Sequence, residues 1–402
     1  MFENKKRMLC FILVMLAYVN VVNANTIDDL ELIQVLNDDI NGVDGLGNPR
    51  SVKVLANNSQ VFVSSADDNA FAVFDVDNDF SLTFSQVFKN AAADIAGLEG
   101  ASGLVYLENG NQVVVSGYYD GALSTFSRAE NNYHFSQLIT DGLGYDRVFD
   151  SDKPVGELDR LGLLGAWEVV KTASETQLII ASYMSNAIAI FDVSQQGKLT
   201  LNHVKKDAIP LERDLGSPIT AALSALNDEL YVLGFEGHQL TIFDRNKAGT
   251  LSVKQVIKNG TDGVEQFVNP QKIVVSPNGK FLYIACAGSH SLVVFDKTKT
   301  GKFSFLQAIN NSDIGGSGLE GASSLAISSD GSTLYAAGEA GSGLYQFNVG
   351  VDGRLSYKNK LLRVQDNELK GISSFTLTDD NQHLLVATGK GNALLVFKVK
   401  SV

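Results

Sequence analysis

One aromatic residue recurs along this chain of 402 residues at nearly constant intervals. A phenylalanine that ends a short apolar stretch stands at seven positions, which are Phe74, Phe126, Phe191, Phe243, Phe295, Phe347 and Phe397. Five of the six intervals are 50 or 52 residues, and one is 65. Self-similarity at such a period indicates a repeat architecture. We therefore interpret a length that otherwise suggests two or three domains as one ring of seven units.

Each repeat has the pattern of four short strands. In residues 322–361, the pattern predicts strands at Ser324–Ser328, Thr333–Ala337, Leu344–Val349 and Leu355–Leu361. Turns at Asp330-Gly331 and Asp352-Gly353 and a glycine-rich loop at Gly338–Gly343 separate them. Alternation with a period of two, bounded by Asp-Gly turns, is typical of β-strands. Four strands in about 50 residues is the signature of a propeller blade. The sequence predicts an all-β fold, a seven-bladed β-propeller with four antiparallel strands per blade.

The last repeat is incomplete in a way that predicts how the ring closes. It runs from Lys370 to Val402 and stops after its third strand. The segment Leu30–Asn37 resembles the fourth strand of another repeat, Thr250–Lys258. We expect this N-terminal strand to complete the last blade, since that pairing leaves no open sheet edge at the seam.

The first residues have the pattern of an export signal. Three basic residues at 5–7 precede the apolar run Met8–Val19, and a small-residue cleavage site ends at Ala24. We predict a signal peptide over 1–24 and a single propeller domain over 25–402. The apolar run is shorter than the roughly 20 residues that span a bilayer, which disfavours the alternative of an uncleaved anchor. The mature chain would then be periplasmic or secreted, without a membrane span.

Charge narrows the possible partners. The chain has 45 acidic and 32 basic residues, a net charge of −13. A surface this acidic repels phosphate backbones, so we exclude nucleic acid as a partner. We expect a monomer that takes a small polar organic ligand or a protein partner and has no cofactor.

At Val275–Ala285 the chain reads VSPNGKFLYIA. This strand-turn-strand resembles the "SPDGKYLYVA" repeat of the lactonase-type seven-bladed propellers. That family includes 6-phosphogluconolactonase and carboxymuconate cyclase, and it neighbours the surface-layer YVTN propellers. The resemblance extends over essentially the whole mature chain and implies the propeller fold. It also makes lactone hydrolysis a candidate activity.

Aligning the repeats shows which side chains point at the central channel. The first ring of positions comprises Arg50, Ser102, Trp167, Ile219, Gln271, Ser323 and Ser373, and the next comprises Ser51, Gly103, Glu168, Thr220, Lys272, Ser324 and Ser374. Most are small, as converging strands require. Arg50, Trp167, Glu168 and Lys272 are the exceptions. A charged side chain in the channel is costly unless it has a partner or water around it. We therefore expect these four residues to bind a ligand, or Glu168, Lys272 and Arg50 to form an internal ion network.

Loops between the second and third strands should surround the same mouth. They contribute aromatic and charged residues, namely Asp67, Asp68, Tyr118, Tyr119, Asp120, Tyr183, Phe235, Glu236, His238, His290, Glu339 and Lys390. We predict ligand contacts from Tyr118, Tyr119, Tyr183, Phe235 and Glu236. The alternative is that each of these aromatic side chains packs between blades. His238 and His290 occupy positions that other repeats give to Asn, which favours a turn role over a metal site.

The long interval places about 13 extra residues near 144–162, on the mouth side of the ring. Long loops often carry function. This insertion either covers the channel or is a surface decoration.

The lactonase family typically has a GPRH-like motif at the start of an inner strand, whose Arg and His, with a Glu, are its proposed catalytic groups. The match here is Gly47-Asn48-Pro49-Arg50-Ser51, with serine at the histidine position. Hydrolysis needs a base for water and a cation for the oxyanion. Glu168 could be the base, and Arg50 or Lys272 the cation.

Three functions therefore remain open, and whether the chain is an enzyme remains open with them. We favour an exported binding module that acts through its channel. The first alternative is a lactone hydrolase in the same channel. The second is a cell-surface adhesion or layer component.

Overall fold

A computed structural model describes residues 29–92, 94–144, 158–207, 214–364 and 367–400. The predicted signal segment and most of the predicted 144–162 insertion lie outside these ranges. The described helical elements include two 3-10 turns, Glu108–Gly110 and Asn311–Ile314, and within these ranges no helix is long and apolar enough to cross a membrane.

Seven four-stranded antiparallel sheets form the blades. Blades 1 to 6 each use four consecutive strands. Blade 1 comprises β2–β5 (Pro49–Val54, Gln60–Ser65, Ala70–Val76 and Leu82–Lys89), and blade 2 comprises β6–β9 (Ala101–Leu107, Gln112–Gly117, Ala122–Ala129 and Asn132–Thr140). Blade 3 comprises β10–β13 (Ala166–Lys171, Gln177–Ser182, Ala187–Val193 and Leu199–Lys206), and blade 4 comprises β14–β17 (Pro218–Leu223, Glu229–Gly234, Gln239–Arg245 and Leu251–Lys258). Blade 5 comprises β18–β21 (Pro270–Val275, Phe281–Cys286, Ser291–Lys297 and Phe303–Asn310), and blade 6 comprises β22–β25 (Ala322–Ile327, Thr333–Gly338, Leu344–Val349 and Leu355–Leu361). A two-residue hairpin, β26 (Arg363–Val364) and β27 (Asn367–Glu368), precedes the last blade.

Blade 7 joins the two ends of the chain. Its inner three strands are β28 (Ile372–Leu377), β29 (His383–Thr388) and β30 (Ala393–Val399), and its outer strand is β1 (Leu30–Asn37). Strand β1 pairs antiparallel with β30 from Leu30 opposite Val399 to Asn37 opposite Ala393. The predicted fold class and ring closure are therefore confirmed.

The core lies between adjacent blades. The seven phenylalanines that mark the repeats lie in the second half of the third strands and are almost completely buried; the most exposed of them is Phe397, at 2%. Each described cluster of buried apolar side chains combines residues of two neighbouring blades. Because a blade has an apolar neighbour on both faces, its middle strands are continuously buried, as β3 is from Gln60 to Ser65.

A side-chain amide on the outer strand links many blades to the next one. Gln34 of β1 donates from Nε2 to the Leu82 carbonyl (3.0 Å) and accepts from the Leu82 N–H (2.7 Å). Equivalent glutamines contact the outer strand of the next blade in the same way, fully or in part; they are Gln86, Gln137, Gln255 and Gln307. At the equivalent positions, blades 3 and 6 have His203 and Asn359. We call this contact the amide clamp.

The junction of blades 7 and 1 contains a histidine that should make stability depend on pH. His383 stacks on Phe80 with ring centroids 3.6 Å apart, and its Nδ1 is buried without a hydrogen-bond partner. Burial, with help from Lys398, lowers the pKa of His383 below 6.5, although Asp380 opposes the shift. As pH falls, His383 is therefore protonated in the unfolded chain before it is protonated in the folded one. Its neutral form contributes fully to the free energy of unfolding above about pH 6.5, and that contribution declines at lower pH.

We expect the urea concentration at the unfolding midpoint to decrease as the pH is lowered from 7 to 5. The slope of this pH dependence should be smaller in His383→Gln. His134→Gln, on the outer strand of blade 2, is the matched control and should keep the slope. An unchanged slope in His383→Gln would mean that other groups cause it.

Candidate functional site

The inner strands of the seven blades converge on a cavity of about 430 Å³. Each inner strand begins with a break in register against its neighbour, for example between Pro49 and Ser51 and between Ala166 and Glu168. Such a β-bulge re-aims a side chain. Both residues of the pair Arg50 and Ser51 line the cavity, although successive residues of a regular strand would point to opposite sides. The four residues singled out in the sequence, Arg50, Trp167, Glu168 and Lys272, all line this cavity.

Glu168 and Lys272 form an ion pair across the channel. Lys272 Nζ lies 2.5 Å from Glu168 Oε1, and the Thr220 hydroxyl donates to Glu168 Oε2. Burial alone would raise the pKa of Glu168, but the ammonium groups of Lys272 and Lys53 and these hydrogen bonds outweigh it, so the pKa is lowered. Glu168 is consequently an ionised carboxylate with both oxygens engaged, and a weak base.

Arg50 belongs to a different group of side chains. Its Nη1 lies 2.5 Å from Oε1 of Glu339, and its guanidinium carbon lies 5.0 Å from the centre of the Trp167 ring. The three-residue ion network that the sequence offered as an alternative is thus divided into two pairs. One pair joins blades 3 and 5, and the other joins blades 1 and 6.

The predicted aromatic residues lie outside the cavity lining and form two groups at the mouth. Tyr118 packs edge-on against Trp167, with centroids 5.5 Å apart, and Tyr119 packs edge-on against Tyr118 at 5.1 Å. They extend the Arg50–Trp167 contact towards solvent, where Tyr119 is 40% exposed.

On the other side of the mouth, Tyr183 packs edge-on against Phe235 at 6.1 Å and donates from its hydroxyl to Glu236 at 2.8 Å. Burial, together with the carboxylate of Glu236, raises the pKa of Tyr183 to about 12. These three residues join the loops of blades 3 and 4, so blade-to-blade packing describes their contacts. Their predicted ligand contacts remain predictions.

The two histidines at the mouth occupy turns. His238 Nδ1 accepts from the Asn269 N–H and His290 Nδ1 accepts from the Gly321 N–H, each at 3.1 Å. Asn69 and Asn186 accept from the next blade in the same way. The predicted turn role is therefore confirmed for both histidines.

Lys53 is a channel residue that the sequence reasoning missed. It lines the cavity two positions beyond Ser51 on β2. In the described part of the chain it has no hydrogen-bond or ion-pair partner. Desolvation, and then the positive charge of Lys272, lowers its pKa to about 8, against the opposing effect of Glu168. Continuing the period of two beyond Ser51 would have found it.

Hydroxyl groups from blades 6 and 7 form the remaining wall. Ser324 donates to the Ser373 carbonyl at 2.8 Å, and the Ser373 hydroxyl donates to the Pro49 carbonyl. The Ser323 hydroxyl is buried without a partner. One wall of the cavity therefore has ions and the other has hydroxyls.

Three carboxylates near the start of blade 1 lie close enough together to ligate a metal. Oxygens of Asp38, Asp39 and Asp44 are within 4.8 Å of one another. Asp38 already accepts the Leu46 N–H at 2.8 Å, and Asp44 is paired with Lys89 at 2.6 Å. Two of the three carboxylates are thus already engaged within the fold, and none of the three lines the channel cavity.

Comparisons with known proteins agree with this architecture. Residues 221–314 match the sequence profile of the family described as lactonase, 7-bladed beta-propeller. A search of curated proteins found no significant match. A proposed 6-phosphogluconolactonase from Bacteroides uniformis is 16% identical, with a TM-score of 0.61 over 82% of this chain and 87% of that chain.

Two further structures extend the comparison. The periplasmic gluconolactonase PpgL of Pseudomonas aeruginosa is 14% identical, with a TM-score of 0.60 over 81% of this chain and 86% of its own. The β-propeller domain of Cps50 (Swd1) from Myceliophteria thermophila is 9% identical, with a TM-score of 0.63 over 92% of this chain and 100% of that chain. Identities this low establish the fold alone. The resemblance to the lactonase-type seven-bladed propellers is therefore confirmed, in sequence over residues 221–314 and elsewhere in fold.

Proposed function

We propose that this protein is an exported binding module that takes a small polar organic ligand into its central channel. The observation that carries the proposal is the convergence of Arg50, Trp167, Glu168 and Lys272 on one cavity of about 430 Å³. That volume lies in the usual range of small-molecule sites, about 300–1,000 Å³.

The lining also supports a polar ligand. The Arg50 guanidinium beside the Trp167 ring offers a cation together with an aromatic surface. The buried Ser323 hydroxyl lacks a partner and would gain one from a ligand hydroxyl or carbonyl. The engagement of Glu168 by Lys272 and Thr220 favours binding over base catalysis.

Ligand binding can be followed directly, because Trp167 is the only tryptophan of the chain. We expect at least one member of a library of sugars, sugar acids and amino acids to change the Trp167 fluorescence saturably, at one site per chain. Arg50→Met should weaken that binding about tenfold or more, since it removes the cation beside the ring. Arg354→Met, on an exposed turn, is the charge-matched control. A flat titration throughout the library would contradict the proposal.

Lactone hydrolysis is the second candidate, favoured by the family match. Water would attack the lactone carbonyl carbon while Glu168 takes its proton, and Arg50 or Lys272 would stabilise the oxyanion. The ring C–O bond would then break as Glu168 returns the proton to the leaving oxygen, which gives the hydroxy acid. Turnover on a lactone panel that falls about 100-fold or more in Glu168→Gln would establish this function in place of simple binding. We expect no turnover above the buffer rate.

Export is supported by the basic start and apolar run of residues 1–24, and by the likeness in fold to a periplasmic gluconolactonase. The mass of the protein recovered outside the cytoplasm should match a chain that begins at Asn25. Leu13→Asp, which interrupts the apolar run, should leave a full-length chain inside the cell. A full-length exported chain would contradict cleavage after Ala24.

A further inference from the structure

A second cavity opens on the face of the ring opposite the mouth. It has a volume of about 510 Å³ and lies between blades 2, 3 and 4, near the turns that follow their inner strands. Much of its lining is apolar, with contributions from Val105, Val169, Val170, Ala222 and Leu223. The channel cavity also has apolar lining residues, but it adds Arg50, Lys272 and several serines that this cavity does not have.

Lys53 lies where the two cavities meet. It lines both of them, together with Glu168, Val169 and Ala222. The other charged groups of the second cavity already have partners. Glu168 is held by Lys272 and Thr220, and Lys171 donates to Glu175 at 2.6 Å and to the Tyr106 carbonyl at 2.8 Å. Among the described residues, Lys53 is the cation of this cavity without a hydrogen bond or ion pair.

An ammonium group in this position is destabilised unless an anion joins it. Desolvation has already lowered the pKa of Lys53 to about 8. The charges that act on it are Lys272 and Lys171, which disfavour its protonated form, and Glu168, which favours it. A single negative charge placed beside Lys53 Nζ would favour the protonated form of this lysine, because attraction between opposite charges is stronger where water is scarce.

We infer that this second cavity is a binding site for a small monocarboxylate with an apolar body, whose carboxylate pairs with Lys53 Nζ and whose body packs against Val170 and Leu223. One charge is matched by one unpaired cation, and the apolar lining matches a hydrocarbon chain or an aromatic ring. The volume of about 510 Å³ lies in the usual range of small-molecule sites, about 300–1,000 Å³. This site adjoins the proposed mouth site through Lys53 and Glu168, which line both cavities, but its ligand enters from the opposite face.

Hexanoate is a suitable probe. Calorimetric titration at pH 7 should show one site per folded chain. Lys53→Met keeps the apolar stem and removes the charge, so it should weaken hexanoate binding about tenfold or more. Lys302→Met makes the same charge change at an exposed position outside both cavities and should leave the affinity unchanged. Arg50→Met should also leave it unchanged, because Arg50 lies at the mouth.

Two measurements keep the inference testable if Lys53→Met folds poorly. Hexanamide has the same body without the charge, so it should bind the wild-type protein about tenfold or more weakly than hexanoate does. Lys53→Arg should retain hexanoate binding. Wild-type affinity for hexanoate should also fall as pH rises through 8 to 10, where Lys53 loses its proton.

Several results would overturn the site. They are no hexanoate binding at millimolar concentration, equal affinity for hexanoate and hexanamide, or equal affinity of wild type and a folded Lys53→Met. Loss of binding in Arg50→Met but not in Lys53→Met would place the carboxylate at the mouth and would equally refute the inference. That last result would support binding at the mouth, beside Trp167, whereas the other results leave the proposed mouth site untouched.

Discussion

A chain that begins at Asp38, and so lacks β1, should lose most of its stability and associate through blade 7. Strand β1 covers β30 over its full length, and Leu30, Leu32 and Val35 pack on the core of blades 6 and 7 while Ile33 packs on that of blades 7 and 1. Each apolar side chain contributes about 1.5–3 kcal/mol when fully buried. A loss of roughly 5 kcal/mol would remove a large part of the 5–15 kcal/mol typical of a folded domain. The exposed β30 edge would also be free to pair between chains.

Thermal unfolding and size-exclusion chromatography test this prediction. The control is a chain that begins at Asp29, which keeps β1 and should behave as the mature protein does. A synthetic peptide of residues 29–38 should restore the melting temperature when added to the truncated chain. Gln34→Ala in the full chain should have a smaller effect, about 1 kcal/mol, because it removes one amide clamp only. A truncated monomer with an unchanged melting temperature would show that the ring does not depend on this closure.

Removing Lys272 alone should destabilise the fold more than removing both Lys272 and Glu168. The side chains are 29% and 18% exposed, and Lys272→Met would leave the Glu168 carboxylate without its closest cation. Breaking a fully buried pair costs about 3–5 kcal/mol, so we expect about 1–3 kcal/mol for this partly exposed one. The double variant Glu168→Gln with Lys272→Met leaves no uncompensated charge and should recover much of that loss.

A double-mutant cycle by urea unfolding at pH 7 measures the coupling. Because the pKa of Glu168 is lowered in the folded state, its contribution is fully present above about pH 4.5 and is lost as pH falls below that value. Glu168→Gln should therefore show a smaller loss of stability on acidification than the wild type does. Additive effects of the two substitutions would mean that the ion pair does not stabilise the ring.

The repeat pattern predicted the fold in detail because strand period and turn chemistry agree in every blade. In blade 6 the sequence pattern predicts strands at Thr333–Ala337, Leu344–Val349 and Leu355–Leu361, and the structure has the same starting residues in all three. The first strand begins two residues earlier than its apolar pattern indicates, at Ala322. Its β-bulge interrupts the alternation of side chains there, which hides the true start.

The candidate site was only partly predictable. Repeat alignment identified Arg50, Trp167, Glu168 and Lys272 as channel residues, because position along an inner strand fixes which side chains face the axis. It could not pair them, since Arg50 reaches Glu339 on a loop five blades later in the sequence. Lys53 was missed because a lysine between Val52 and Val54 looks like the solvent-facing residue of an ordinary amphipathic strand. On the innermost strand of a propeller blade, however, such a residue can face the central channel, as Lys53 does.

The amide clamps divide the ring into unequal arcs. Where the structure describes the outer strands, clamps join blades 7, 1, 2 and 3 in one arc and blades 4, 5 and 6 in another, with His203 and Asn359 at the two seams. The pair Glu168–Lys272 bridges blades 3 and 5 across the first seam, and Arg50–Glu339 bridges blades 1 and 6 across the second. An ion pair in the central channel thus connects blades on either side of each seam, where the outer strands have no amide clamp. A ligand that draws Lys272 or Arg50 away from its carboxylate would remove an ion pair that crosses a seam near the axis and leave that seam to the apolar packing between blades 3 and 4 or between blades 6 and 7.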